Sequence, residues 1–254
     1  MTASSSPFLS LILPTVLDQA QDSVGELLLR EYGAIFVAGN GVEPPDRLIF
    51  RDEIEVSDFQ GRVEISTVQF DEITIELQKR AADGLRKAVD AACEAGLSIT
   101  PRAPDSGRRN YHDTIGLWHS RVEPALDHWT ALGRISPEKS ATIRSLPPFD
   151  QVSIVLSLEQ QGIFFAKDLS KSIIYSVAPP GASQHLSMLA FDVAEFSDPQ
   201  VRQILADHFW YQTVPSDLPH FTYLGVAADE LPGLGLKLVV NSDRPFWVPD
   251  LDPQ

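Results

Sequence analysis

Ser183-Gln184-His185-Leu186-Ser187-Met188-Leu189-Ala190-Phe191-Asp192 decides how the chain is read. A histidine is followed seven residues later by an aspartate, inside a mostly apolar run. Seven residues exceed one turn of helix. The spacing suits a looped His185 followed by a short strand, Leu189–Val193, that carries Asp192 back to the same point. Further on, Asp217-Leu218-Pro219-His220-Phe221-Thr222-Tyr223 adds a second imidazole with a carboxylate three residues before it. His220–Leu224 alternates and reads as a neighbouring strand, its entry stiffened by Pro219. Two imidazoles, one carboxylate and a further carboxylate at hand are the inventory of a catalytic zinc site. Three protein ligands hold the metal, a fourth position takes water, and a nearby acid moves protons. Each of these side chains taken singly is equally well a packed, hydrogen-bonded residue; it is the combination that points to a metal.

Composition narrows the function classes. The net charge of −15 over 254 residues disfavours binding to nucleic-acid phosphates, which needs a basic footprint. The 43% hydrophobic content suffices for a sizeable core, yet no uninterrupted apolar run reaches the length of a transmembrane helix. Cys93 is the only cysteine, so no intrachain disulfide framework exists to indicate a compartment. Its setting, Ala91-Ala92-Cys93-Glu94-Ala95, suggests a small packed residue on a helix rather than a nucleophile. Within residues 1–20 the apolar segment Phe8–Pro14 has no Lys or Arg before it and makes a poor signal peptide.

Along the chain, residues 15–32 read as a helix ended by Gly33, and Ala34–Ala38 as a buried strand. Gly39-Asn40-Gly41 is a turn; the Gly-x-Gly lacks the third glycine and following helix of a nucleotide site. Short strands are expected near Leu48–Phe50, Glu53–Val56 and Val63–Phe70. An amphipathic helix from Gln78 to Ala95 is closed by Gly96, with a strand at Leu97–Thr100. Pro104-Asp105-Ser106-Gly107-Arg108-Arg109-Asn110-Tyr111 forms a turn, and a helix runs from Tyr111 to Leu132 with a kink or break at Pro124. His112, His119 and His128 lie along it without an acidic cluster and read as surface or packing residues. Helices follow at Ser136-Pro137, at Gln151–Gln160 and after Asp198-Pro199. Strands are expected at Phe209–Val214, Leu236–Val240 and Phe246–Val248. No internal repeat or low-complexity linker is visible. The pattern is α+β: a small, mainly antiparallel sheet with helices packed to one side.

The pattern S-x-H-x6-D, followed later by acid-x-x-H, resembles the zinc D-alanyl-D-alanine carboxypeptidases and dipeptidases. That family includes the vancomycin-resistance enzymes and shares its fold with the Hedgehog signalling domain. The resemblance implies that His185, Asp192 and His220 bind zinc and that Asp217 is the general base. The family usually carries Glu at the position of Asp217 and Gly at that of Met188. The Ser106–Tyr111 stretch is similar to the family's S-G-Y-R-S-Y-like turn, whose arginine contacts the substrate near the scissile carbonyl. Arg109 fits that register, with Arg108 where the family has Tyr, and a guanidinium suits a developing oxyanion. The same motifs place Ser183, Arg108 and Tyr111 in substrate binding. The likeness spans Leu97–Leu224; it implies a peptidase core over 97–254, with 1–96 an extension packed on the same domain. The implied substrate is a peptidoglycan stem peptide or related D-amino-acid peptide, and the implied location is periplasmic or extracellular. A zinc-binding protein that recognises cell-wall peptide without cleaving it, and a peptidase for a different bond, share these residues. A cytoplasmic location is compatible with the same chain.

Overall fold

The computed structural model describes residues 6–252; the first five positions of the opening segment lie outside the described residues. In chain order the helices and strands are α1 (Pro7–Leu11), α2 (Pro14–Gln19), α3 (Ser23–Tyr32), α4 (Glu53–Arg62), β1 (Ile65–Phe70), β2 (Ile73–Gln78), α5 (Lys79–Glu94), α6 (Tyr111–Ala131), α7 (Pro137–Ser145), α8 (Pro148–Glu159), β3 (Ala190–Asp192), α9 (Pro199–Asp207), β4 (Trp210–Tyr211), β5 (His220–Tyr223), β6 (Leu236–Asn241) and β7 (Arg244–Pro249). The class is α+β. Every strand pair is antiparallel, but the strands form three small sheets, β1-β2, β3-β5-β4 and β6-β7, rather than one. The chain divides into two compact units. One comprises residues up to Leu48, Asp58–Arg109 and everything from Gln184; the other comprises Ile49–Ser57 and Asn110–Ser183.

In the first unit, α5 packs on the β1-β2 hairpin and on α9. Its buried stripe, Ala81, Leu85, Ala88 and Ala92, recurs at three- and four-residue steps, as a helix facing a core on one side requires. Gly84 sits on this stripe because a Cβ there would lie 2.7 Å from the Tyr223 ring of β5. Phe191, Trp210 and Tyr223 fill one face of the three-stranded sheet, with ring centroids 6.2 Å apart for Phe191–Trp210 and 5.4 Å for Trp210–Tyr223. Strand alternation then sends Thr222 and His220 to the opposite face. The β6-β7 hairpin turns through Ser242 and Asp243, both at positive φ, as a two-residue turn matched to strand twist demands.

The second unit is helical. Asn110 caps α6 in a reciprocal capping box with Asp113. Trp118 is fully buried and donates from its indole to Gln151 of α8 (3.0 Å). Glu159, at the end of α8, is buried and accepts from the Phe165 amide (3.0 Å), the Ile173 amide (2.7 Å) and the Ser172 hydroxyl. One carboxylate thus pins the irregular stretch that follows the helix.

Several sequence expectations are corrected. The helix expected over 15–32 is two helices, because Asp22 caps a new start by accepting from the Val24 and Gly25 amides. Ala34–Ala38 is not a strand: Ala34–Val37 lies in a buried 3-10 turn, Gly33–Val37, and Ala38 follows it; an apolar run buried on all sides has no period to tell the two apart. Leu48–Phe50 forms no strand, and Glu53–Val56 is the start of α4. There the Asp52 carboxylate accepts the Glu55 amide at 2.9 Å, a cap signal that outweighs the β-like residues. Leu97–Thr100 forms no ladder strand. Pro101 and Pro104 lack amide donors, and only an isolated bridge joins Pro101 to Val193. Pro124 does not break α6, since it and Ser120, whose carbonyl loses its partner, both face solvent. The strand expected over Phe209–Val214 is only β4, Trp210–Tyr211; Phe209, at φ +70°, stands outside its start. Cys93 is exposed, so the packing expected of it is absent.

Candidate metal centre

Three segments of the first unit converge on one point. His185 lies in a 3-10 turn, Gln184–Ser187, which leads within three residues into β3. Asp192 ends β3, and His220 opens β5 as its direct antiparallel partner. The side chains are 3%, 14% and 6% exposed, so this is a largely buried polar cluster. One ligand atom from each lies within 4.8 Å of the others, and the imidazole rings meet edge to face with centroids 4.9 Å apart.

The donor chemistry tests whether a cation fits. The Nδ1 of His185 is 2.7 Å from the Gly107 carbonyl, which can only accept. His185 is therefore protonated at Nδ1 and presents a bare Nε2. That Nε2 lies 3.3 Å from Asp192 Oδ1, and His220 Nδ1 lies 3.3 Å from the same oxygen. A charge-assisted N–H···O bond is shorter, about 2.7–2.9 Å. Two ligand atoms about 2.0–2.1 Å from one zinc at the tetrahedral angle are separated by about 3.3–3.4 Å. Both nitrogen–oxygen separations match the edge of that tetrahedron. Burial pushes His185 down from its ordinary pKa against the pull of Asp192, which disfavours a proton as the bridging charge. For Asp192, burial alone would raise the pKa. The two imidazole nitrogens facing Oδ1 hold its pKa well below the usual carboxylate range all the same, so Asp192 is a carboxylate and not an acid. Two imidazole nitrogens and one carboxylate oxygen converging in this way are donors that zinc takes, and the residues fit it.

Arg109 completes the surroundings. Its Nη2 lies 3.0 Å from Asp192 Oδ2, and its Nε donates to the Asp105 carbonyl (3.1 Å). Asp192 therefore turns one oxygen to the imidazoles and the other to a guanidinium, which suits one-oxygen ligation. The Arg109 amide donates to the His185 carbonyl at 3.4 Å. Arg108 points elsewhere, to Gln60 (2.8 Å) and Glu76 (2.9 Å). Asp217 is exposed in the loop before β5. Its amide donates to the Val214 carbonyl (3.0 Å) and its carbonyl accepts the His220 amide (3.2 Å), a turn that fixes its backbone against that of His220. Tyr111 and Ser183 belong to the second unit. Tyr111 is buried with an unpartnered hydroxyl and a pKa pushed up to about 12, first by burial and then by Asp52, Glu55 and Asp150; Ser183 is half-buried.

Two partners of the imidazoles escape sequence reading. Gly107 acts through its carbonyl, which every residue type possesses; its lack of a side chain matters because a Cβ would lie 2.6 Å from Ile75. Gln184 accepts from His220 Nε2 at 2.8 Å. Its only sequence signal is a long amide beside His185 in an apolar run.

Met188 explains a departure noted in the sequence. It is fully buried yet adopts φ +59°, a left-handed conformation that favours glycine. The backbone thus keeps the shape that glycine serves best while the side chain fills the core. Left-handed backbone costs an L-residue about 1–2 kcal/mol, whereas deleting a buried Met side chain costs about 2–5 kcal/mol. Met188→Gly is therefore expected to lower stability by about 1–3 kcal/mol in denaturant unfolding; a gain would show that strain outweighs packing here.

No family model and no curated protein matches the chain. Among solved structures, it is similar to a variant of the vancomycin-resistance D,D-pentapeptidase VanY from a VanB-type cassette, determined with Zn(II). The TM-score is 0.38 at 14% identity, over 65% of this chain and 82% of that one. At that distance, the weight rests on the geometry of the centre itself. Among the described residues, no helix is long and apolar enough to cross a membrane.

Proposed function

We propose that the protein is a zinc metallopeptidase of the D-alanyl-D-alanine carboxypeptidase and dipeptidase type, acting on peptidoglycan stem peptides. The observation that carries this reading is the pair of 3.3 Å nitrogen–oxygen edges shared by His185, Asp192 and His220. Three protein ligands of this kind leave a coordination position open, the mark of a catalytic rather than a structural zinc site. Bound there, zinc supplies Lewis acidity that polarises a carbonyl and acidifies water.

The remaining chemistry belongs to the chain. His185 and His220 contribute neutral nitrogens and Asp192 the single carboxylate oxygen. Asp217 accepts the proton of the attacking water and returns it to the leaving amine, the ordinary duty of a carboxylate base. Arg109 holds Asp192 through Nη2, which leaves Nη1 as the edge offered to the substrate oxygen that gains charge. Ser183, Arg108 and Tyr111 serve substrate binding. The sequence pattern supports the choice of substrate: S-x-H-x6-D, then acid-x-x-H, with the Ser106–Tyr111 turn between residues 97 and 224.

The test combines metal analysis of the purified protein with product analysis on defined stem peptides. One zinc per chain and release of a terminal D-alanine are expected. Cleavage at another bond would move the protein to a different peptidase class, and zinc without cleavage would make it a recognition protein. The two arginines give a finer test. Arg109→Ala is expected to lose at least tenfold in hydrolysis and to weaken zinc about 10–100-fold, because a carboxylate ligand loses its orienting partner. Arg108→Ala is expected to hold zinc like the parent. Loss confined to Arg108→Ala would reverse the assignment.

A further inference from the structure

The Gln184 side chain makes contacts that fix which way its amide lies. Its Nε2 donates to the Tyr32 carbonyl at 2.7 Å, and a carbonyl can only accept. The amide oxygen therefore faces the other way, where it meets the Thr222 hydroxyl and, at 2.8 Å, His220 Nε2. Thr222 in turn meets Thr213 at 2.6 Å; since Thr222 gives its proton to Gln184, Thr213 is the donor of that bond. Gln184, Thr213 and Thr222 are 4%, 0% and 0% exposed, so no bulk solvent competes for these bonds. A backbone carbonyl contributed by α3 thus sets the orientation of one amide, and that amide leaves His220 Nε2 no role but donor.

We propose that Gln184 is a positioning residue that locks His220 as the Nε2–H tautomer, so that Nδ1 is the atom offered to the metal. The inference rests on the reading of His185, Asp192 and His220 as the metal ligands and adds what makes His220 competent. The two imidazoles are then held in opposite tautomers, His185 by the Gly107 carbonyl and His220 by Gln184. Opposite tautomers bring two bare nitrogens to Asp192 from a turn and from a strand, which neither ring could do in the other form. A hydrogen-bonding partner on the far nitrogen of a ligating histidine typically governs metal affinity about 10–100-fold.

Two measurements test this, neither of them turnover. The first is the 15N spectrum of the metal-free, unmodified protein, with the His220 signals assigned by their loss in His220→Ala. The Nε2–H tautomer is expected; Nδ1–H would overturn the proposal without any variant having to fold. The second is zinc affinity, by chelator competition, of Gln184→Leu, Gln184→Glu and His220→Ala. Gln184→Leu is expected to bind zinc about 10–100-fold more weakly. Gln184→Glu, which keeps the acceptor, is expected to bind within about threefold of the parent or more tightly. Parental affinity in Gln184→Leu alongside loss in His220→Ala would overturn the positioning role and leave the metal site standing. Parental affinity in His220→Ala would overturn the metal assignment, and the positioning role with it.

Discussion

His185→Ala protein is expected to be purified without tightly bound zinc and to lose nearly all hydrolysis. The site has three convergent ligand atoms, and removing His185 leaves two, on Asp192 and His220. A catalytic zinc needs three protein ligands to keep a fixed geometry with one position open. Lewis-acid assistance is worth several kcal/mol at the transition state, and each 1.36 kcal/mol is a tenfold change in rate, so a loss of about 10³-fold or more follows. His185 is fully buried and its Nδ1–H satisfies the Gly107 carbonyl, so the substitution also leaves an acceptor unpaired. Circular dichroism at the assay temperature separates loss of metal from loss of fold. A folded His185→Ala protein carrying the parental zinc content would show that the metal site has been misplaced.

Asp217→Asn is expected to do the opposite to the metal and nearly the same to turnover. Asp217 is not among the converging ligand atoms, so zinc should stay. General-base catalysis contributes about 10²–10⁴-fold, and an amide cannot take the proton, so hydrolysis should fall by that factor. The turn in which the Asp217 carbonyl accepts the His220 amide fixes where the carboxylate starts. Asp217→Glu asks which acid that start point suits. If the backbone is set for the shorter side chain, the extra methylene crowds the water and lowers the rate; if not, activity holds or rises. Zinc-loaded Asp217→Asn protein with near-parental turnover would end the base assignment, and metal-free protein would recast Asp217 as a ligand.

Much of the centre's layout could be read from the residues. The seven-residue gap from His185 to Asp192 excludes a shared helix turn, and the alternation after Pro219 indicates a second strand; in the structure Asp192 and His220 are direct cross-strand partners. What escaped was contributed by backbone or by context. The Gly107 and Tyr32 carbonyls fix His185 and Gln184, but a carbonyl leaves no trace in residue type. Ala34–Ala38 reads as a strand because burial on every side erases periodicity. Glu53–Val56 reads as a strand from its side chains, yet a single cap, Asp52, makes it a helix start. The pairing of Arg109 with Asp192 was not legible either, since a guanidinium that contacts substrate and one that contacts a ligand have the same sequence signature.

The division of the chain carries a consequence for energetic coupling. The longer segment of the second unit departs directly after Arg109 and returns directly at Gln184, and the Arg109 amide is bonded to the carbonyl of His185. Residues 110–183 are thus one long excursion whose two ends leave the chain beside the candidate metal ligands. Holding such an excursion shut costs entropy that grows slowly with its length when it is unfolded, and far less when it is folded with its ends already together. On the proposed reading of His185, Asp192 and His220 as ligands, closing the ends of that segment is a loop-closure cost that a bound metal would share. Linkage is reciprocal, so on that reading an added metal is expected to slow proteolysis within 110–183, and limited proteolysis with and without zinc measures it.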